Sequence, residues 1–137
     1  MSPASGPPAP PRPSDPGLAL LRVVLAGLLA AHGVARLAHG GVAPFGEFLA
    51  AQGFPLGVVL AGGITAFEIV GGLALALGRW VTPIAALFAL QLAAGVALVH
   101  AQHGWFVVGS GTNGVEYSVC LIAGLLALIV SRRRRAA

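Results

Sequence analysis

Residues 56–78, LGVVLAGGITAFEIVGGLALALG, decide the fold of this protein. The segment contains a single charged residue, Glu68, and is long enough to cross the roughly 30 Å hydrocarbon core of a bilayer as one helix. Three further segments of similar apolar character lie at 18–38, 81–101 and 111–130. The sequence therefore predicts an all-α fold, an integral membrane four-helix bundle.

The composition of the whole chain supports this class. Of its 137 residues, 57% are apolar and 9% are charged, whereas soluble domains carry about a quarter charged residues. Half of the eight arginines form the run 132–135, which has no interleaved aromatic residues and no nucleic-acid-binding motif. We therefore expect a lipid bilayer around the chain and no nucleic-acid partner. Cys120 is the only cysteine, which excludes an intrachain disulfide and a Cys-x-x-Cys redox pair.

The two ends of the chain differ from the apolar segments. Residues 1–16 are rich in proline and predict a disordered leader, and residues 132–137 predict a basic tail, which leaves a membrane domain at 17–131. A signal peptide is the alternative for the first apolar segment, but that segment has the length of a span. All arginines except Arg36 fall on one side of a four-span arrangement, so we expect a multi-pass protein of the inner (plasma) membrane with both termini in the cytoplasm.

Residues 44–52, between the first two spans, predict a short interfacial helix. Phe45, Phe48 and Leu49 have the spacing of one apolar helix face, with Glu47 elsewhere on the wheel. Such a helix is either a connector that lies on lipid headgroups or a lid over the outer mouth of the bundle. We favour the connector.

Polar side chains within the predicted spans mark a candidate site. A charged residue at the centre of a membrane helix costs about 2.5–3.5 kcal/mol on insertion scales, so each one needs a partner or a watery cavity. At a rise of 1.5 Å per residue, polar residues from every span fall near the middle or in the outer half of the bilayer. They are His32, Arg36, Glu68, Gln91, His100, Glu116 and Tyr117.

Charge balance suggests how these residues interact. We expect Arg36, with or without His32, to face Glu68 or Glu116, and His100 to close the network through a hydrogen bond. Two carboxylates and one arginine leave an excess of negative charge, which a protonated histidine or glutamate would remove. Such a group could exchange protons at neutral pH. The structural alternative is that these residues only hold the four helices together.

Two other chemistries are less compatible with the sequence. His32, His100, Glu68 and Glu116 have donor atoms suited to a metal, but no His-x-x-His or His-Glu-x-x-His spacing brings two of them together, so we predict no metal site. Ser110 and Ser118 lack a nucleophile-elbow motif.

Several different short motifs follow one another along the chain. They are Leu21-Arg22, His32-Gly33-x-x-Arg36-Leu37, Phe67-Glu68-x-x-Gly71-Gly72 followed by Leu77-Gly78, and Gly114-x-Glu116-Tyr117. With this order and membrane placement, the chain resembles the DoxX family of small four-helix membrane proteins over residues 18–130. Arg36 stands where lysine is expected as often as arginine, which keeps the charge and changes its geometry.

The resemblance implies a membrane subunit associated with redox systems, including thiosulfate:quinone oxidoreductases, with other members joined to thiol-redox or metabolic partners. Because this chain has one cysteine, it cannot perform dithiol chemistry alone, and a sulfur-oxidising activity does not transfer to it. A quinone-linked role fits better, since His, Arg and Glu side chains can hydrogen-bond a quinone carbonyl and exchange protons. Haem, flavin and iron–sulfur motifs are absent from the sequence, so we predict no intrinsic cofactor and place the electron donor in a partner subunit.

Two functions stay open at this point, and with them whether the chain takes part in an enzyme. One is a membrane subunit of a quinone-linked oxidoreductase that contributes a quinone or proton-handling site. The alternative is a noncatalytic anchor or assembly subunit of a larger membrane complex. A third function, a carrier of protons or small solutes, is disfavoured because no polar path through the inner half is found beyond Gln91 and Arg22.

Overall fold

A computed structural model describes residues 15–136, which form five α-helices and one 3₁₀ turn. This part of the chain contains no strand, so the prediction of an all-α fold is confirmed. The helices are α1 (Pro16–Ala38), α2 (Val42–Ala51), α3 (Gly57–Ala76), α4 (Val81–Leu98) and α5 (Glu116–Ala136), and the 3₁₀ turn is His100–His103.

The start of α1 lies within the segment predicted to be a disordered leader. The Oδ1 atom of Asp15 accepts hydrogen bonds from the backbone N–H groups of Gly17 (2.8 Å) and Leu18 (3.4 Å), which caps the helix. Pro16 occupies the first helical turn, where a missing N–H has no cost. The predicted leader therefore ends before Asp15, and the rest of it, residues 1–14, lies outside the described residues.

The four long helices alternate in direction. The beginning of α1 and the end of α5 meet the turn between α3 and α4, where Nη2 of Arg132 lies 3.5 Å from the carbonyl oxygen of Gly78. We call this end of the bundle the terminal face. The opposite end, the loop face, carries α2, the 3₁₀ turn and the loop 104–115. Helix α1 packs along α3, and α4 packs along α5.

Three helices, α1, α3 and α4, are long and apolar enough to cross a membrane, and they coincide with three of the predicted spans. The fourth prediction, 111–130, differs from the structure because α5 begins only at Glu116. The preceding residues form a loop closed by backbone hydrogen bonds, including Gly114 N–H to Phe106 O at 3.1 Å. The predicted basic tail at 132–137 begins within α5, which continues through Ala136.

The predicted helix at 44–52 is α2, which begins two residues earlier and ends one residue earlier. It packs against the start of α3, and the two backbones approach closely at Gly46 and Gly57. A side chain at Gly57 would overlap the carbonyl oxygen of Gly46, so only glycine fits this contact. The contact fixes α2 over the loop half of the bundle.

The core differs between the two ends of the bundle. In the terminal half, apolar side chains from all four long helices are buried against one another, among them Leu25, Leu75, Phe88 and Leu125. In the loop half, the same helices surround a cavity and carry the polar side chains. The terminal half therefore contains a packed apolar core, and the loop half contains a cavity lined in part by polar side chains.

Candidate functional site

An ion pair joins α1 to α3 in the loop half of the bundle. Nη1 of Arg36 donates to Oε2 of Glu68 at 2.5 Å, and Nη2 donates to Oε1 at 3.4 Å. The Glu68 side chain is 5% exposed and that of Arg36 is 19% exposed. Two N–H groups of the guanidinium thus bind the two oxygens of the carboxylate, and the buried charge of Glu68 is paired.

Two further polar side chains complete the arrangement. Nε2 of Gln91, on α4, donates to Oε1 of Glu68 at 2.5 Å. Thr65 accepts a hydrogen bond from Nη1 of Arg36 at 3.1 Å and donates its own hydroxyl to the carbonyl oxygen of Ala61 at 2.7 Å. We call Arg36, Thr65, Glu68 and Gln91 the polar cluster. It links three helices through one carboxylate that accepts three hydrogen bonds.

Phe45 adds an aromatic contact from α2. The Cζ atom of Arg36 lies 4.5 Å from the centroid of the Phe45 ring, which is the geometry of a cation–π interaction. The close packing of α2 on α3 therefore brings the aromatic ring to the charged pair. Helix α2 lies over the site, and its Phe45 and Phe48 side chains line a cavity.

Glycines position the charged pair. A Cβ atom at Gly33 would lie 2.9 Å from Cβ of Glu68 and 2.9 Å from the carbonyl oxygen of Thr65. One helical turn after Glu68 on α3, a Cβ atom at Gly72 would lie 2.8 Å from Cβ of Ala30. Because only glycine allows this approach, the backbones of α1 and α3 lie in direct contact. The side chains of Arg36 and Glu68 therefore reach each other across a short distance between the two helices.

A cavity of about 830 Å³ occupies the loop half. Most of its wall is apolar and comes from α2, α3 and α4, with Phe67, Leu90 and Leu98 as examples. Arg36, Glu68 and Gln91 also line it, so polar groups interrupt one part of an otherwise apolar surface. This combination is typical of ligand sites, which have volumes of about 300–1,000 Å³.

The two histidines among the predicted site residues line the cavity without joining the polar cluster. His32 lines the cavity, and its Nδ1 donates to the carbonyl oxygen of Leu28 at 2.9 Å. His100 lines the far end of the cavity, and its Nδ1 donates to the carbonyl oxygen of Asn113 at 2.9 Å. The expectation that His100 closes the network is therefore wrong, and Gln91 occupies that role.

Glu116 and Tyr117 also lie apart from the ion pair. Oε1 of Glu116 accepts the backbone N–H of Val107 at 2.9 Å and so holds the loop before α5, while Arg36 pairs with Glu68 alone. Tyr117 lines the cavity and is 41% exposed. Of the seven candidate residues, the structure brings Arg36, Glu68 and Gln91 into direct contact.

Sequence reasoning overlooked Thr65 and the role of Phe45 at the charged pair. Thr65 precedes Glu68 by three residues, so both project from the same helix face. That spacing was the available signal. Phe45 could not be assigned in this way, because its position depends on how α2 folds back over α3.

The chemistry of the site follows from its donors and acceptors. Within the described residues, no group of three or more His, Cys, Asp or Glu side chains is arranged to hold a metal ion. What the site offers is hydrogen-bond donors from Arg36 and Gln91, an imidazole from His32 and a large apolar wall. Such a site suits an organic molecule with a polar head and an apolar body.

Comparison with known proteins identifies the family. No curated protein and no solved structure matches the chain. The family model described as DoxX matches residues 17–101, a range that includes the polar cluster, His32 and His100 and stops before α5. The resemblance was expected over 18–130, so the motif at Gly114-x-Glu116-Tyr117 lies outside the matched range. Since the match covers more than half of the sequence, this membrane protein belongs to the DoxX family.

Proposed function

We propose that the chain is a membrane subunit of a redox complex and that its cavity binds a quinone. The observation that carries this proposal is the cavity of about 830 Å³, in which an apolar wall is interrupted by Arg36, Glu68 and Gln91. A quinone has two carbonyl acceptors on a flat ring and an apolar tail. The polar cluster suits the ring, and the wall around Leu90 and Leu98 suits the tail.

Hydrogen-bond capacity supports the head-group part of this proposal. The amide nitrogen of Gln91 carries two N–H groups, and one of them suffices for its bond to Glu68. The guanidinium of Arg36 carries five N–H groups, of which three account for its bonds to Thr65 and Glu68. Both side chains line the cavity, so each has an N–H group left that can donate a hydrogen bond to a quinone carbonyl.

His32 supplies the proton-handling part. A carbonyl oxygen only accepts, so the bond to Leu28 requires a proton on Nδ1 of His32. In the neutral ring, Nε2 is then the proton acceptor. Reduction of a quinone to a quinol consumes two protons with two electrons, and a proton taken up at Nε2 can be passed to an oxygen of the reduced ring. The electrons come from a partner subunit, because this chain has a single cysteine and no cofactor-binding motif.

The first experiment compares two glycine substitutions. Gly95 lines the cavity and Gly27 lies on the outside of α1, and a Cβ at either position would meet nothing within 4 Å. Gly95→Leu should fill the cavity and lower the amount of quinone that co-purifies by about 10-fold or more, as expected when a bound head group is displaced. Gly27→Leu should retain quinone at the level of the wild type.

The measurement is quinone extracted from purified protein and quantified by its redox difference spectrum. Protein taken from quinone-containing membranes without bound quinone would contradict the proposal. Equal quinone in both glycine variants would place any bound quinone outside the cavity.

The alternative is a noncatalytic anchor or assembly subunit. It is favoured by the hydrogen bonding of Glu68, whose charge is already paired with Arg36 and Gln91 and needs no ligand. His32→Asn separates the two functions, because asparagine keeps hydrogen-bond capacity and cannot exchange a proton. Quinone-dependent turnover of the membrane complex should fall by about 100-fold with little change in melting temperature. Full turnover in an assembled His32→Asn complex would favour the anchor.

The same proposal includes an orientation. Arg22, Arg79 and Arg132 lie at the terminal face, whereas Arg36 lies in the loop half, so the positive-inside rule favours cytoplasmic termini in an inner membrane. Single cysteines at Ser110 and Ala136 in a Cys120→Ala background test this. In intact cells, an impermeant thiol reagent should label the cysteine at Ser110 and leave the one at Ala136 unlabelled. The reverse pattern would overturn the orientation.

A further inference from the structure

A second, smaller cavity opens at the terminal face between α1, α4 and α5. Its volume is about 180 Å³. Leu18, Val81 and Leu128 give it an apolar wall, and Arg22 and Arg132 bring two guanidinium groups to it. We call this cavity the terminal notch. It is separate from the large cavity and shares no lining residue with it.

Both guanidinium groups of the terminal notch lie beside Gly78, just beyond the end of α3. Nη2 of Arg132 is 3.5 Å from the carbonyl oxygen of Gly78. Nη1 of Arg22 packs so closely against Gly78 that a methyl group at that position would overlap it. Two positive charges therefore share a small region at the terminal face.

One negative charge faces this pair. Asp15 also lines the terminal notch, and its Oδ1 accepts the backbone N–H groups at the start of α1, so the two guanidinium groups exceed the carboxylate by one positive charge. Among residues 15–134, the one ion pair with atoms within 4.0 Å joins Arg36 to Glu68 in the other half. The carbonyl of Gly78 carries only a partial charge, so it does not balance the remaining positive charge.

We propose that the terminal notch binds the phosphodiester group of an anionic phospholipid, with Arg22 and Arg132 as its ligands. Guanidinium groups bind phosphate oxygens through paired, charge-assisted hydrogen bonds. The notch lies where apolar helices end, which is the depth of lipid headgroups around a membrane protein. The apolar wall then contacts the first methylene groups of the acyl chains. This proposal does not depend on the binding of a quinone.

Trp80 provides the probe. It lies between α3 and α4 at the terminal face, and its side chain is 71% exposed. In a Trp105→Phe background it is the only tryptophan. The protein is reconstituted into vesicles of phosphatidylcholine that contain a small fraction of either brominated phosphatidylglycerol or brominated phosphatidylcholine, and quenching of Trp80 fluorescence reports the lipid next to it.

Brominated phosphatidylglycerol should quench Trp80 more strongly than brominated phosphatidylcholine. The double variant Arg22→Gln, Arg132→Gln should lose this preference by about 25-fold in relative affinity, roughly 5-fold for each arginine. The control with the same change in net charge is Arg133→Gln, Arg134→Gln, which removes two arginines that follow Arg132 on α5 and do not line the notch. It should keep most of the preference.

Three results would overturn the proposal. Equal quenching by the two brominated lipids in the unsubstituted notch would exclude a preference for anionic lipid. An equal loss in both double variants would indicate general surface charge. Removal of the preference by added inorganic phosphate would indicate a free-anion site. If the glutamine variant does not fold, Arg22→Lys, Arg132→Lys replaces it, and that variant should retain binding with a weaker preference because lysine is a point charge.

Discussion

The terminal half and the loop half of the bundle contain the same four long helices and differ in how the space between them is filled. In the loop half, Gly33 lies at the interface of α1 with α3 and brings the two backbones together around Glu68. Gly63 and Gly95 face the large cavity, where they leave space unfilled. In the terminal half, large side chains such as Leu125 take the central positions. A glycine therefore closes a helix interface where a neighbouring backbone packs against it, and leaves space where no atom lies within contact distance.

The largest expected effect separates the packed apolar core from the cavity. Leu125 is fully buried, whereas Leu98 lines the cavity. Leu125→Ala should lower the free energy of unfolding by about 2–5 kcal/mol, because the packed surroundings cannot collapse around the lost atoms. Leu98→Ala should cost less than about 1 kcal/mol, since Leu98 is only partly buried and gives up fewer packing contacts than Leu125. Unfolding in mixed detergent micelles measures both. Equal losses would mean that the two halves are packed alike.

A second comparison tests the two uses of glycine. Gly33→Ala places a methyl group against Glu68 and the backbone of Thr65. It should destabilise the protein by about 1–3 kcal/mol, the usual cost of overpacking. Gly63→Ala meets nothing within 4 Å and should raise stability by up to about 1 kcal/mol, because alanine is favoured over glycine inside a helix. A Gly33→Ala protein as stable as the wild type would show that α1 and α3 separate easily.

The ion pair should couple the two helices energetically. Arg36→Gln and Glu68→Gln each leave one buried group without its charged partner. In a double-mutant cycle their effects should depart from additivity by about 0.5–3 kcal/mol, the range for residues in one network. Thermal unfolding of the four proteins in the same detergent gives the coupling. Additive losses would reject a direct interaction.

A small effect on stability is also expected from filling the cavity. Gly95→Leu should change the free energy of unfolding by less than about 1 kcal/mol, because the new side chain enters open space and leucine is favoured over glycine in a helix. The variant thereby separates ligand loss from unfolding. A loss as large as that of Leu125→Ala would show that the cavity closes in solution.

Helix count and helix position could be predicted well from the sequence. The apolar segments that contain α1, α3 and α4 are bounded by proline and glycine, so length and hydropathy identify them. The start of α5 could not be placed in this way. Gly111 and Gly114 lie in an apolar sequence that fits a helix end, but they belong to a loop in which residues 113–116 donate backbone hydrogen bonds to residues 104–107.

The polar cluster was predictable only in part. Counting residues along each helix gives the height of Arg36, Glu68 and Gln91 in the bilayer, and heights agree for residues that meet. Rotation about the helix axis and the distance between helices decide which of them touch. His100 and Glu116 have compatible heights, yet both bond to backbone groups near the loop face instead. The cavity itself depends on side-chain packing, which hydropathy does not describe.

The limited apolar length of α5 has a consequence for the surrounding membrane. From Tyr117 to Val130 the helix is largely apolar, and arginines follow from Arg132. Fourteen residues rise by about 21 Å, roughly 9 Å less than an average hydrocarbon core. If α5 crosses the membrane, as the sequence predicts, the bilayer next to it must thin, or the arginine side chains must extend toward the surface with their stems in the acyl region. We expect the protein to concentrate in thinner bilayers, so that lipid chain length becomes a determinant of where in a membrane the protein resides.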